Sequence, residues 1–264
     1  MTTQDKVSVI MPSYNTGKMI CESIDSVLAQ TYQNIELLIS DDHSSDAETI
    51  SILKEYAQKD ERVKVFFLDT NKGAGVARNN SIRHATGRYI AFCDSDDRWQ
   101  PEKLEKQIAF MKENDCCLCF SSYYVCTYEG EIHGQVVAPQ TLTLSQEKKD
   151  NKIGCLTAIY DTSKYGKFYM PTLRKRQDWG LFLTILQKCQ KAYALQEPLA
   201  IYRKVPGSIS SNKINLIKYN AKVYKEVFGY SNFKSYLYLF VFFFPAYIKK
   251  KLQTWQNNHK STHK

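Results

Sequence analysis

Residues 71–99 read NKGAGVARNNSIRHATGRYIAFCDSDDRW, and the fold follows from them. Two glycines, Gly73 and Gly75, precede a segment of helical character over residues 76–85. The apolar run YIAFC (89–93) comes next, and three acids, Asp94, Asp96 and Asp97, stand directly behind it. A short unbroken apolar run reads as a strand covered on both faces. A turn, a helix, a buried strand and a polar strand end form the repeating unit of an α/β sheet. Such a sheet binds ligands outside the carboxyl ends of its strands.

The same unit recurs towards the N-terminus. VSVIM (7–11) ends at Pro12, IELLIS (35–40) runs into Asp41-Asp42-His43-Ser44-Ser45-Asp46, and VKVFFL (63–68) supplies a third strand. Between them Ile20, Ile24, Val27 and Leu28, then Ile50, Leu53 and Tyr56, repeat at helical spacing. Ser44 or Ser45 is a candidate cap for the second helix, and Asp46 suits a cap as well. Pro101 fits the first turn of a helix carrying Leu104, Ile108 and Met111. Beyond Cys116 the pattern changes. Residues 117–128 and HGQVV (133–137) flank a turn at Glu129-Gly130-Glu131 as a hairpin. Residues 140–152 read as loop, 179–189 as helix, 192–195 and 199–202 as short strands, and 214–228 as helix.

The acids decide the chemistry. One acid after a strand is commonly a helix cap, but several together are costly to bury without a cation or hydrogen-bond donors. A hard divalent cation shared with substrate phosphates accounts for residues 94–97. The Gly-x-Gly at 73–75 lacks the third glycine of a dinucleotide fingerprint and the Gly-Lys-Ser/Thr ending of a P-loop. With Lys72 and Arg78 beside it, it remains compatible with backbone amides facing a nucleotide diphosphate.

Composition sets the outer limits. The chain has 264 residues, 43% hydrophobic and 24% charged, which excludes a mainly disordered or collagen-like state. No unbroken apolar stretch reaches the roughly 18 residues of a membrane span. MTTQDKVSVIMPSYN lacks the basic-then-apolar pattern of a secretory signal. The net charge of +9 is uneven: residues 203–264 hold 12 Lys and Arg against one acid, Glu226, and residues 1–202 hold 24 against 26 acids. A basic tail suits an anionic partner, membrane lipid or nucleic acid, or is simply a solvated helical face. The eight cysteines read as reduced thiols in a cytoplasm, and CCLC (116–119) has no matching second pair for zinc.

Five segments together resemble the family-2 glycosyltransferases: VSVIMPSYN (7–15), SVLAQTYQNIELLISDDHSSD (26–46), residues 71–99, RQDWGLF (176–182) and YRKVPGSIS (202–210). The resemblance implies a GT-A fold, an α/β Rossmann-like, mostly parallel sheet flanked by helices, with a C-terminal helical extension. Residues 1–115 would form its nucleotide-sugar-binding part, 116–210 its acceptor side, and 211–264 a basic, aromatic tail. It implies inverting transfer of a sugar from a nucleotide donor, UDP most often in the family, with Mn2+ or Mg2+ as cofactor.

Carried over by position, Pro12, Tyr14 and Asn15 form a wall of the nucleotide pocket, Asp41 pairs with the base, and Asp42 is structural or faces the ribose. Arg78 lies near the nucleotide. Asp94 and Asp96 form the DxD motif, with Asp94 and Ser95 on the nucleotide side and Asp96 on the metal. Asp178 is the general base, although residue preference alone makes it a helix cap. Trp179 shapes the donor–acceptor cleft and Arg203 faces phosphate. His43 stands where many members have glycine, and Lys204 and Val205 stand where others often carry histidine.

The tail run YLYLFVFFFPAY (236–247) is too short to span a bilayer and is interrupted by Pro245. With Lys249, Lys250 and Lys251 behind it, residues 236–251 fit peripheral attachment to the cytoplasmic face of an inner membrane, where a glycan or lipid-linked acceptor for surface polysaccharide or lipopolysaccharide would lie. A core helix and a dimer interface are the competing readings. Nucleic acid is not an expected partner, because the aromatics form a block and do not interleave with the lysines. A nucleotidyltransferase would need a basic, glycine-rich loop after the first strand, and PSYNTGKM (12–19) has only Lys18. A non-catalytic membrane scaffold is the remaining alternative, opposed by the intact acids.

Overall fold

The computed structural model describes residues 5–206, 213–245 and 248. In chain order the elements are β1 (Val7–Ser13), α1 (Met19–Leu28), β2 (Ile35–Asp41), α2 (Ala47–Lys59), β3 (Val63–Phe67), α3 (Ala74–His84), β4 (Tyr89–Phe92), β5 (Arg98–Trp99) and α4 (Lys103–Glu113). They continue as β6 (Leu118–Cys126), β7 (Ile132–Val136), β8 (Thr141–Thr143), α5 (Leu144–Glu147), β9 (Ile159–Asp161), α6 (Gln177–Cys189), β10 (Lys191–Arg203), α7 (Lys213–Phe228) and α8 (Asn232–Tyr238). A π-helical turn, Leu239–Phe243, prolongs α8.

The strands form one sheet in the order β3-β2-β1-β4-β9-β6-β10-β5, with β7 on β6 and β8 on β10. β3, β2, β1 and β4 are parallel, as are β6 and β10, while β9 runs against both β4 and β6. This is the α/β, Rossmann-like sheet the sequence implied. Every residue of β1 and β2 is buried, because helices cover both faces. Val7, Val9 and Met11 meet α1, α2 and α4 through Ile24, Leu53 and Leu104. Ile10, with Ile90 and Phe92 of β4, meets α3 and α6 through Ile82 and Phe182. Each such side chain contributes about 1.5–3 kcal/mol through removal from water.

The chain leaves β1 to build β2 and β3 on one side, then returns to place β4 on the other. The strand order therefore reverses between β1 and β4, where open α/β sheets hold their ligands. β4 pairs with β1 only as far as Ile10. Pro12 lies beyond that point, still paired with β2, so the two strands part and open a crevice at their carboxyl ends.

Several local expectations are corrected. Asp46, not Ser44 or Ser45, caps α2 by accepting from the Glu48 and Thr49 amides. Residues 140–152 contain β8 and α5, the latter started by a capping box between Thr143 and Gln146. The two strands expected at 192–202 are one, β10, whose register slips around Pro198 where the amide donor is missing. Cys117 and Cys189 form a disulfide, against the expected set of reduced thiols, because the start of β6 and the end of α6 pack together with Cα atoms 6.1 Å apart.

The described part of the tail, α7 and α8 with its continuation, folds back on the domain. Trp179 and Leu183 of α6, Val223 and Tyr224 of α7, and Leu239 and Phe243 share a third core. The competing reading of a core helix thus holds for one face of this segment. The expected basic run Lys249-Lys250-Lys251 and all of GSIS (207–210) lie outside the described residues.

Candidate active site

The crevice is built from three strand ends and one helix start. After β1, Tyr14 is half exposed and Asn15 takes a left-handed φ of 48°. Asn15 clamps the next strand end: its Oδ1 accepts from the Ser45 and Asp46 amides, and its own amide donates to Ser44 Oγ at 2.8 Å. Asp41 is buried, and its two oxygens accept from the Ser44 amide and hydroxyl at 2.7 and 2.6 Å. Asp42 turns the other way and accepts from the Lys72 and Gly73 amides at 2.9 and 2.6 Å. It therefore ties β2 to the glycine turn, the structural role expected of it. His43 is exposed and left-handed, φ 66°, the conformation that glycine would adopt without strain.

Gly73 and Gly75 serve close approach. A Cβ on Gly75 would sit 3.0 Å from Gln177 Cγ, and one on Gly73 would sit 3.2 Å from Arg174. The glycine turn thus packs against the segment that leads into α6. Asn79 secures the same contact by exchanging two hydrogen bonds with the backbone of Met170, and Arg174 donates to Asn71 at 3.0 Å. At Gly180 a Cβ would meet Pro171 at 2.5 Å, so only glycine allows this segment to lie on α6. None of these braces carries a motif beyond the glycines themselves.

Asp178 stands in the first turn of α6 and is partly exposed. Arg176, left-handed at φ 64°, occupies the cap position without a side-chain bond, so Asp178 is not the helix cap. Arg78 of α3 is buried, and its Nη2 donates to Asp94 Oδ1 at 2.5 Å. Arg78 also lies within electrostatic reach of Asp178 and Cys155. The structure thus joins Arg78 to Asp94 and brings Asp178, separated from both in sequence, within electrostatic reach of Arg78. Cys155 joins them as a buried thiol that the sequence did not single out, and burial pushes its pKa well up.

The three acids after β4 are not equivalent. Asp94, Ser95 and Asp96 border the crevice, half-buried. Asp97 is buried and accepts from the Arg203 amide at 3.0 Å. Burial and the neighbouring Asp94 push Asp96 up to about 6. Burial and both neighbours push Asp97 well above the carboxylate range. The protein supplies these groups with less positive charge than they would accept. Oxygen donors carrying uncompensated charge fit a hard divalent cation. Among the described residues no three His, Cys, Asp or Glu side chains make a closed metal cage.

Two expected cleft residues are corrected. Trp179 is fully buried, donates to the Glu147 carbonyl at 2.9 Å and packs on Tyr224 and Phe243. It follows Asp178 by one position, so helical geometry turns it to the tail core. Arg203 does not present an open guanidinium. It donates to Glu22 at 2.5 Å, to the Tyr128 carbonyl at 2.7 Å and to the Asp96 carbonyl at 3.2 Å. It braces the acidic loop through protein partners, with its guanidinium taken up by Glu22 and two carbonyls.

This arrangement can be set beside known proteins. The model of glycosyl transferase family 2 matches residues 8–172, more than half of the chain. The chain belongs to this family. A Bacillus subtilis family relative, assigned by name to teichuronic acid biosynthesis, is 42% identical over 93% of this chain and 97% of its own length. A second, from Escherichia coli, is named as a UDP-glucose:α-D-GlcNAc-diphosphoundecaprenol β-1,3-glucosyltransferase. It is 41% identical over 80% of this chain and 82% of its own length. Among solved structures, Staphylococcus aureus TarS (1–349) with UDP-GlcNAc superposes with a TM-score of 0.70 at 25% identity, covering 89% of this chain and 73% of that one. A mannosyltransferase of Pyrobaculum calidifontis with GDP-mannose and Mn2+ shares the fold, with a TM-score of 0.67 at 18% identity, over 91% and 71% of the two chains. The family-2 transferase described here therefore has the GT-A fold.

Proposed function

We propose that this family-2 transferase moves a sugar from a UDP-sugar to a hydroxyl of a lipid-linked glycan, with inversion, in assembly of a bacterial surface polysaccharide. The observation that supports the reading is the hydrogen bond from Arg78 of α3 to Asp94 at the end of β4, with Asp178 of α6 within electrostatic reach of Arg78. UDP is supported by the relative named for UDP-glucose and by the UDP-GlcNAc complex of TarS. The same relative's name supports a diphosphate-linked lipid acceptor. Asp41 and the 12–15 turn would wall the nucleotide.

Asp96, with Asp94 beside it, would hold Mn2+ or Mg2+, which supplies positive charge for the departing diphosphate. Arg78 holds Asp94 in place and adds a fixed cation on the leaving-group side. Asp178 accepts the proton of the acceptor hydroxyl as its oxygen bonds to the anomeric carbon. The bond from that carbon to the diphosphate oxygen breaks on the opposite face, which inverts the configuration. Among the described residues no helix is long and apolar enough to cross a membrane. Peripheral attachment at a cytoplasmic membrane face through residues 236–251 would bring the crevice to such an acceptor, and residues 246, 247 and 249–251 of that stretch lie outside the described residues.

Calorimetric titration with UDP, GDP and dTDP, with and without Mn2+, tests the donor. Metal-dependent binding of UDP alone is expected, and absence of binding by the folded protein would overturn the reading. Asp178→Asn is expected to keep UDP binding and to lower turnover about 10²–10⁴-fold. Unchanged turnover would remove Asp178 as the base.

A further inference from the structure

The transferase reading leaves one built feature unused. A cleft of about 300 Å³ lies between α7 and α8, beside the segment that enters α6. Lys218, Lys222 and Lys225 line one wall at i, i+4 and i+7 of α7, and Asn232, Ser235 and Tyr236 of α8 line the other. Among the described residues no carboxylate pairs with any of the three lysines. Lys225 reaches only the Asn232 amide oxygen at 3.5 Å, and Lys222 rests over the Tyr219 ring. Like charges one turn apart on a helix repel, so an aligned row of three is destabilising unless an anion lies along it. Ser235 is 1% exposed, and its Oγ has no hydrogen-bond partner. Buried hydroxyls are as a rule hydrogen-bonded, so this one is free to accept or donate to a group entering the cleft. Glu226 is the one acid in the lining.

The adjoining surface is apolar. α8 and its continuation turn Ser235, Leu239 and Phe243 inward and leave Phe233, Leu237 and Phe240 outward, exposed by 78%, 50% and 61%. A cationic cleft that opens beside an apolar helix face matches a ligand with a polyanionic head and a long hydrocarbon chain. Thr172 and Leu173 also line the cleft, and the same segment reaches Asp178 within six residues, about 20 Å of extended chain at most. A glycan attached to a head group held there would have at most that distance to cover to reach Asp178.

We propose that the α7–α8 cleft seats the diphosphate of the lipid-linked acceptor, with its hydrocarbon chain lying along Phe233, Leu237 and Phe240; this rests on the lipid-linked reading above. The lysines and the Ser235 hydroxyl hold the diphosphate, and the exposed face of α8 meets the bilayer.

Flotation with phosphatidylcholine vesicles doped with a polyprenyl diphosphate tests it. The comparison vesicles carry phosphatidylserine at equal surface charge. The full chain is expected to prefer the diphosphate vesicles. The triple variant Lys218→Gln, Lys222→Gln, Lys225→Gln is expected to lose that binding about ten- to a hundred-fold while binding UDP as before. Ser235→Ala, which changes no charge, is expected to weaken the diphosphate vesicles only. Equal binding to the two vesicles, or equal binding by the triple variant, overturns the proposal. Failure of the wild-type chain to bind UDP refutes the transferase reading instead, and the vesicle measurement separates the two.

Discussion

Two ends of one sheet treat buried acids in opposite ways. At the amino end, Glu36 of β2 is buried and accepts from Ser8 Oγ at 2.6 Å, the Thr86 amide at 2.6 Å, Thr86 Oγ1 at 2.8 Å and Lys64 Nζ at 3.2 Å. Burial raises its pKa, but these donors outweigh it and bring the carboxyl down to about 2. At the carboxyl end, Asp94, Asp96 and Asp97 share Arg78, one backbone amide of Arg203 and little else, and burial carries Asp96 and Asp97 upward. The first acid is satisfied by the protein and holds the fold together. The others are left short of positive charge, as a group must be if it is to bind a cation and a diphosphate.

The comparison is sharpest if one substitution separates stability from activity. Asp96→Asn is expected to lower transfer about 10²–10³-fold while leaving the melting temperature equal or higher, because it removes like-charge repulsion. A marked loss of stability would place Asp96 in the same class as Glu36.

Glu36→Gln should do the reverse. The folded-state pKa of Glu36 lies below its ordinary value of 4.5, so its contribution is full above pH 4.5 and is lost as pH falls towards 2. That contribution is on the order of 2–3 kcal/mol. Urea titrations from pH 7 down to about 2 should show the wild-type chain losing this increment and the variant lacking it from the start.

Arg203→Met tests the brace behind the acidic loop. It leaves the carbonyls of Tyr128 and Asp96 without their donor and Glu22 with Arg98 alone, at about 1–3 kcal/mol of stability by thermal denaturation. UDP affinity should fall with it as the loop loosens, and unchanged affinity would show that the loop holds its shape unaided. The smallest effect belongs to Thr86→Val. It removes one of four donors to Glu36 and keeps the amide, so about 0.5–1.5 kcal/mol is expected, and the acid midpoint should move up.

The acids of the site were legible because each follows an apolar run, and a strand end is a local property of the chain. Asp46 as a cap was legible for the same reason. Trp179 and Arg203 misled. Each sits in a matching motif, but a motif does not say which way a side chain turns. Trp179 turned inward because the tail supplied Tyr224 and Phe243 as packing partners. Arg203 was taken up by Glu22, 181 residues away.

Sequence alone determined the alternation of strands and helices, the position of the acids at strand ends and the family, since these depend on patterns a few residues long. The tertiary structure decided which acids are satisfied and which are not. That depends on donors brought from far along the chain, as Arg203 is to Asp97 across 106 residues. It also decided that the tail has two faces, one packed on α6 and one left apolar beside a row of lysines. Only packing can show which half of an apolar helix has found a partner.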